Sequence, residues 1–133
     1  MREEALAPID FWRGIAMTNT EVGPKSWRRL LQSGLDLSLY PFEDVPAGKR
    51  QVVLENSAWH RKQPAVVCFF RDLASGQRYR ITVFRDHTTE EYGPEGGLNF
   101  AVACPGTLMT LEIHQNRTGT FRILGAHPMH PEV

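Results

Sequence analysis

The chain has 133 residues, 15 basic and 15 acidic side chains and a 41% apolar fraction. A chain of that size fits one domain and buries about two thirds of its unfolded surface, so it needs neither disulfides nor a metal to fold. Balanced charge excludes a global field drawing in nucleic acid or an anionic membrane, and the lack of a long apolar run excludes a transmembrane helix.

Residues 1–7 and 127–133 read as loosely ordered tails of the single domain. From Pro8 the apolar spacing of Ile9, Trp12, Ile15 and Ala16 predicts a helix with one buried face. A second helix is expected from Pro24, with Trp27, Leu30 and Leu31 as its stripe, Gly34 as its left-handed stop and Leu35 folded back onto Leu30. Leu35, Leu37 and Leu39 alternate with polar residues and permit a short extended segment. Turns follow at 40–42 and 45–48, then a strand at 51–55 and a polar connection at 56–64 that holds Trp59, His60, Arg61 and Lys62.

The stretch 63–87 is the centre of the chain. The apolar run Val66 to Phe70 and the alternating run Arg78 to Asp86 flank Ser75-Gly76, the pattern of a β-hairpin. An acidic, Gly-rich loop is expected at 88–97, mobile or functional at that length. A strand is expected at 98–104, and a second hairpin pairs 109–115 with 120–124 around 116–119. The fold class predicted is α+β: one or two N-terminal helices on a curved antiparallel sheet of five or six strands in a meander, with a small β-barrel as the alternative.

Charge is unevenly spread along this order. Residues 49–87 carry eight basic groups against three acidic ones, and residues 88–133 carry two against five. Opposite signs meeting across neighbouring strands explain this most simply, and a basic patch for an anion is the functional alternative. Cys68 and Cys104 lie in apolar runs, as reduced core thiols do, and no apolar stretch follows the charged residues 1–4, so the expected location is cytoplasmic.

Side chains two apart on a strand share a face. Met109, Leu111 and Ile113 face one way, and Thr110, Glu112 and His114 the other. Arg78, Arg80 and Thr82 oppose Tyr79, Ile81 and Val83, and Arg122 opposes Phe121 and Ile123. A shared polar face would therefore hold Arg80, Thr82, Glu112, His114 and Arg122. Such a set can cleave RNA without metal: Glu112 takes the 2′-hydroxyl proton, His114 protonates the leaving oxygen, and Arg80 or Arg122 stabilises the phosphorane charge. The simpler reading is a solvated strand face.

The leading expectation is a non-catalytic cytoplasmic binding module for a small molecule or a protein partner. Arg78, Arg80, Thr82, His87 and Tyr92 on the exposed sheet face and the 88–97 loop would bind the ligand. No cofactor is expected. His127 and His130 have an H-x-x-H spacing with Glu132 nearby, but Pro128 and Pro131 keep them off a common helix face, so no metal site is expected. Nucleic acid ranks below a small ligand, because Tyr79 alternates with Arg78 and Arg80 and so puts ring and charge on opposite faces. An exposed edge strand permits a homodimer.

Overall fold

The computed structural model describes residues 23–129. The helix expected from Pro8 lies outside them. Five strands, β1 (Gly48–Trp59), β2 (Ala65–Asp72), β3 (Arg78–Phe84), β4 (Leu108–Gln115) and β5 (Phe121–Pro128), form one antiparallel sheet in the order β3-β2-β1-β4-β5. The edge strands β3 and β5 curl toward one another without pairing, so the sheet is not closed into a barrel. The expected alternation sets the two faces. Leu54, Cys68, Phe70, Tyr79, Ile81, Met109 and Leu111 are buried in the core on the inner face, while Arg80, Thr82, Glu112, His114 and Arg122 all take the other side.

Two corrections concern what covers that inner face. The segment 98–104 is not a strand, and the sheet is not a simple meander. β4 pairs with β1, so the chain must cross from the β3 edge to the far side of β1, and residues 85–107 make that crossing over the inner face. Apolar residues that look strand-like in sequence are the anchors of this cover. Phe100 is fully buried and meets Phe70 edge-on at 6.0 Å between ring centroids. The 88–97 loop is tied down within it: the Phe100 amide donates to the Tyr92 carbonyl at 2.6 Å, and the Leu98 amide donates to the Ala126 carbonyl at 2.8 Å. At Gly93 a Cβ would lie 2.1 Å from the Leu98 carbonyl oxygen, so only glycine allows that approach.

The outer face has its own, smaller core. Helix α1 (Trp27–Gln32) and the 3-10 turn Leu37–Leu39 cover Ala58, Val67 and Phe69, with Leu30 and Tyr40 buried among them. The helix starts later than Pro24 suggests, because Lys25 is extended beside β1: its amide donates to the Ser57 carbonyl at 3.1 Å and its carbonyl accepts from the Trp59 amide at 3.0 Å. Ser26 caps the helix through the Arg29 amide. Gly34 follows at φ +84°, as a left-handed stop requires. Leu31, expected in the buried stripe, is 54% exposed. Covering both faces explains why β2 is buried almost throughout.

Candidate functional site in the outer groove

Two groups of cations sit on the outer face near β3, and they meet opposite fates. Arg71 and Arg78 are register partners on β2 and β3, a like-charge pair that repels. A β-bulge between Leu54 and Asn56 leaves Glu55 as the extra residue of β1, and a bulge re-aims the side chain it carries. Glu55 accepts from Arg71 Nε at 2.8 Å through one oxygen, and from Arg78 Nε at 3.0 Å and the Tyr40 hydroxyl at 2.6 Å through the other. Burial opposes ionisation of Glu55, but these three donors outweigh it and hold its carboxyl below the ordinary value. The same contact, after burial, pushes the Tyr40 hydroxyl up to about 12.

The second group surrounds a groove of about 390 Å³, within the size range of small-molecule sites. Its floor is Val67 and Thr82, register partners across β2 and β3. Trp27, the first residue of α1, and Phe42, in the chain after Tyr40, supply aromatic walls. The Arg80 amide donates to the Pro41 carbonyl at 3.1 Å, which ties that segment to β3. The Arg80 guanidinium then lies over the Phe42 ring, 5.0 Å from its centroid. The short β1–β2 turn supplies the third wall through His60, Arg61 and Lys62. His60 Nδ1 accepts from the Lys62 and Gln63 amides at 3.1 and 3.2 Å, which leaves Nε2 as the protonated nitrogen and a free donor.

No carboxylate lines this groove among the described residues, and none of Arg61, Lys62 and Arg80 forms an ion pair. Burial lowers the proton affinity of Arg80, since no carboxylate offsets the desolvation of its charge. Three cations and an imidazole donor thus stand around the Val67–Thr82 floor and the two aromatic walls, a lining whose chemistry suits an anion with an apolar body.

Of the residues expected to bind a ligand, Arg80 and Thr82 line the groove together, whereas Arg78 is engaged by Glu55. His87 is exposed in a depression between β3 and residues 93–95, and Tyr92 packs edge-on to Trp59 at 5.2 Å. Glu112 and His114 are exposed on β4, His114 directly opposite Arg122 on β5. Arg122 also lines a depression with Arg80 and Thr82 where β3 and β5 approach, but Glu112 and His114 do not. His127 lies in β5, and His130 is outside the described residues. Among the described residues, no helix is long and apolar enough to cross a membrane, and no cluster of His, Cys, Asp and Glu could hold a metal ion. Cys68 is a buried free thiol, and burial pushes its proton affinity up.

Sequence reasoning missed Trp27, Phe42, His60, Arg61 and Lys62 as parts of one site. The 59–62 run carried a signal, but Trp59 turns to the inner side against Tyr92, and the groove's rings come from elsewhere in the chain. The chain matches no family model, no curated protein and no solved structure.

Proposed function

We propose that this chain is a binding module, without catalysis of its own, that holds a small anionic ligand in the outer groove. The observation that carries the reading is the uncompensated charge of Arg61, Lys62 and Arg80 around Val67, Trp27 and Phe42. Arg71 and Arg78, by contrast, are neutralised by Glu55. The cations would take the ligand's charge, the rings its apolar body, and His60 Nε2 one acceptor atom. On this reading the module works in the cytoplasm, and the stretches of its edge strands left uncovered by Pro41 and Leu98 offer a route to a homodimer. A concentration-independent monomer mass in solution would remove the dimer.

The test is a ¹⁵N NMR titration with adenosine monophosphate as the probe, an anion with a flat apolar body. The amides of Arg61, Lys62, Arg80 and Thr82 are expected to shift together and to saturate. Shifts confined to residues 86–95 would move the site to the other depression and overturn the assignment.

One observation keeps the enzymatic alternative in play: His114 and Arg122 are directly opposed, with Glu112 two residues away on the same face. Those three would cleave RNA in the presence of chelator, and His114→Ala would abolish cleavage with the fold intact. A parent protein inert on varied RNA substrates would end that reading.

A further inference from the structure

The groove continues past both of its ends. One adjoining depression shares Trp27 and Arg61 with it and adds Arg28 and Leu31 on α1. Another shares Phe42, Arg80 and Thr82 and adds Phe84 and Arg122 where β3 and β5 approach. Phe42 and Phe84 are 60% and 55% exposed, unusual for rings that serve only a core. Among the described residues of the three depressions, Glu43 is the one carboxylate.

We propose that this band is a track for single-stranded nucleic acid, with bases stacked on the rings and phosphates held by the cations between them. The inference rests on the groove being the ligand site and names the ligand's class. Stacking rings interleaved with cations are the means by which proteins hold single strands without reading sequence. Here each ring adjoins a cation: Trp27 stands beside Arg28 and Arg61, Phe42 lies under Arg80, and Phe84 shares its depression with Arg122. The strand alternation that separates Tyr79 from the arginines is no obstacle, because two of the rings come from α1 and the segment before β1. Phe84 itself has the same strand parity as Arg80 and Thr82 and so shares their face. An acidic peptide would satisfy the cations but would leave the flat ring faces without a stacking partner.

Fluorescence anisotropy with a fluorescein-labelled uridine dodecamer tests this, with adenosine monophosphate as competitor. The dodecamer is expected to bind at least about tenfold tighter than the monophosphate, with a log–log salt slope of about −3 for roughly four phosphates neutralised. Arg28 and Arg122 are exposed and lie beyond the central groove. The double variant Arg28→Ala/Arg122→Ala is expected to weaken dodecamer binding at least about fivefold and to flatten the slope by about 1.4. A dodecamer no tighter than the monophosphate would overturn the track. So would a double variant that binds as the parent does, a duplex that binds as well as the single strand, or a glutamate-rich peptide that binds as tightly. If the monophosphate still binds and Arg61→Ala/Lys62→Ala/Arg80→Ala abolishes that binding, the small-anion site survives the loss of the track. If neither probe binds, both fall.

Discussion

On one face of one sheet, less than a strand's length apart, Arg78 and Arg80 have different destinies. Arg78 faces Arg71 across the strand pair, and Glu55 neutralises both while accepting from Tyr40. Arg80 has a ring beneath it and no ion-pair partner, with Arg61 and Lys62 unpaired along the same groove. The first cluster is what a fold does with charge it must hold together. The second holds its cations without a paired carboxylate, as the proposed anion site requires. The comparison teaches that a basic patch is read from its counter-charges rather than from its count of arginines.

The largest effect that should separate the two clusters is on binding. The triple variant Arg61→Ala/Lys62→Ala/Arg80→Ala is expected to lose adenosine monophosphate affinity by about a hundredfold, near 2.7 kcal/mol by calorimetry. Its unfolding midpoint should change little, because no ion pair is broken and the removal of like charges offsets the lost Arg80–Phe42 contact, about 0.5–1 kcal/mol. Glu55→Ala should do the reverse. It strands Arg71 opposite Arg78 and leaves the Tyr40 hydroxyl unpaired, for a loss of about 2 kcal/mol in urea unfolding, with monophosphate affinity little changed. Equal stability losses in the two variants would erase the distinction.

A pH series sharpens it. The folded Glu55 carboxyl titrates below its ordinary value, so its stabilisation is complete above the unfolded value of about 4.3 and is lost as pH falls through the lower folded value. The stability gap between the parent and Glu55→Gln, about 1 kcal/mol near neutral pH, should close as pH falls below the unfolded value and through the lower folded one. Tyr40 acts in the opposite direction: raised to about 12 from 10.0, it contributes below the unfolded value and loses that contribution as pH rises through the folded one. A gap that widens in acid would contradict this assignment. The smallest effect is expected from Phe42→Ala, which removes an exposed ring from under Arg80. It should weaken monophosphate binding about threefold to fivefold through the lost stacking ring, and lower stability in urea by no more than about 0.5–1 kcal/mol through the lost Arg80 contact.

Strand faces were legible in the sequence because side chains alternate with period two, and Tyr79, Ile81, Met109, Leu111 and Ile113 are buried as that period requires. Strand order was not. The 98–104 run has the apolarity of a strand, yet a crossing segment that must cover an apolar face needs the same residues, and composition does not separate the two. The bulge at Glu55 was also illegible, since an extra residue in β1 shows only against its partner β2. That bulge decides which arginines are neutralised. For this reason the sequence pattern groups Arg78 with Arg80 and Thr82, and the fold divides them. The groove's rings, Trp27 and Phe42, come from segments separated from β3 by the whole of β1 and β2, a proximity no local pattern encodes.

The most direct measurement is a set of thermal melts of the parent, Glu55→Ala and the triple groove variant, each with and without adenosine monophosphate. A structural Glu55 cluster and a ligand-binding groove predict a lowered midpoint for Glu55→Ala that still rises with the monophosphate. They also predict a midpoint for the triple variant that is little changed and no longer responds to it. A triple variant that melts early, or one that keeps the full ligand-induced rise, would contradict the claim that the groove's cations are held in readiness for an anion.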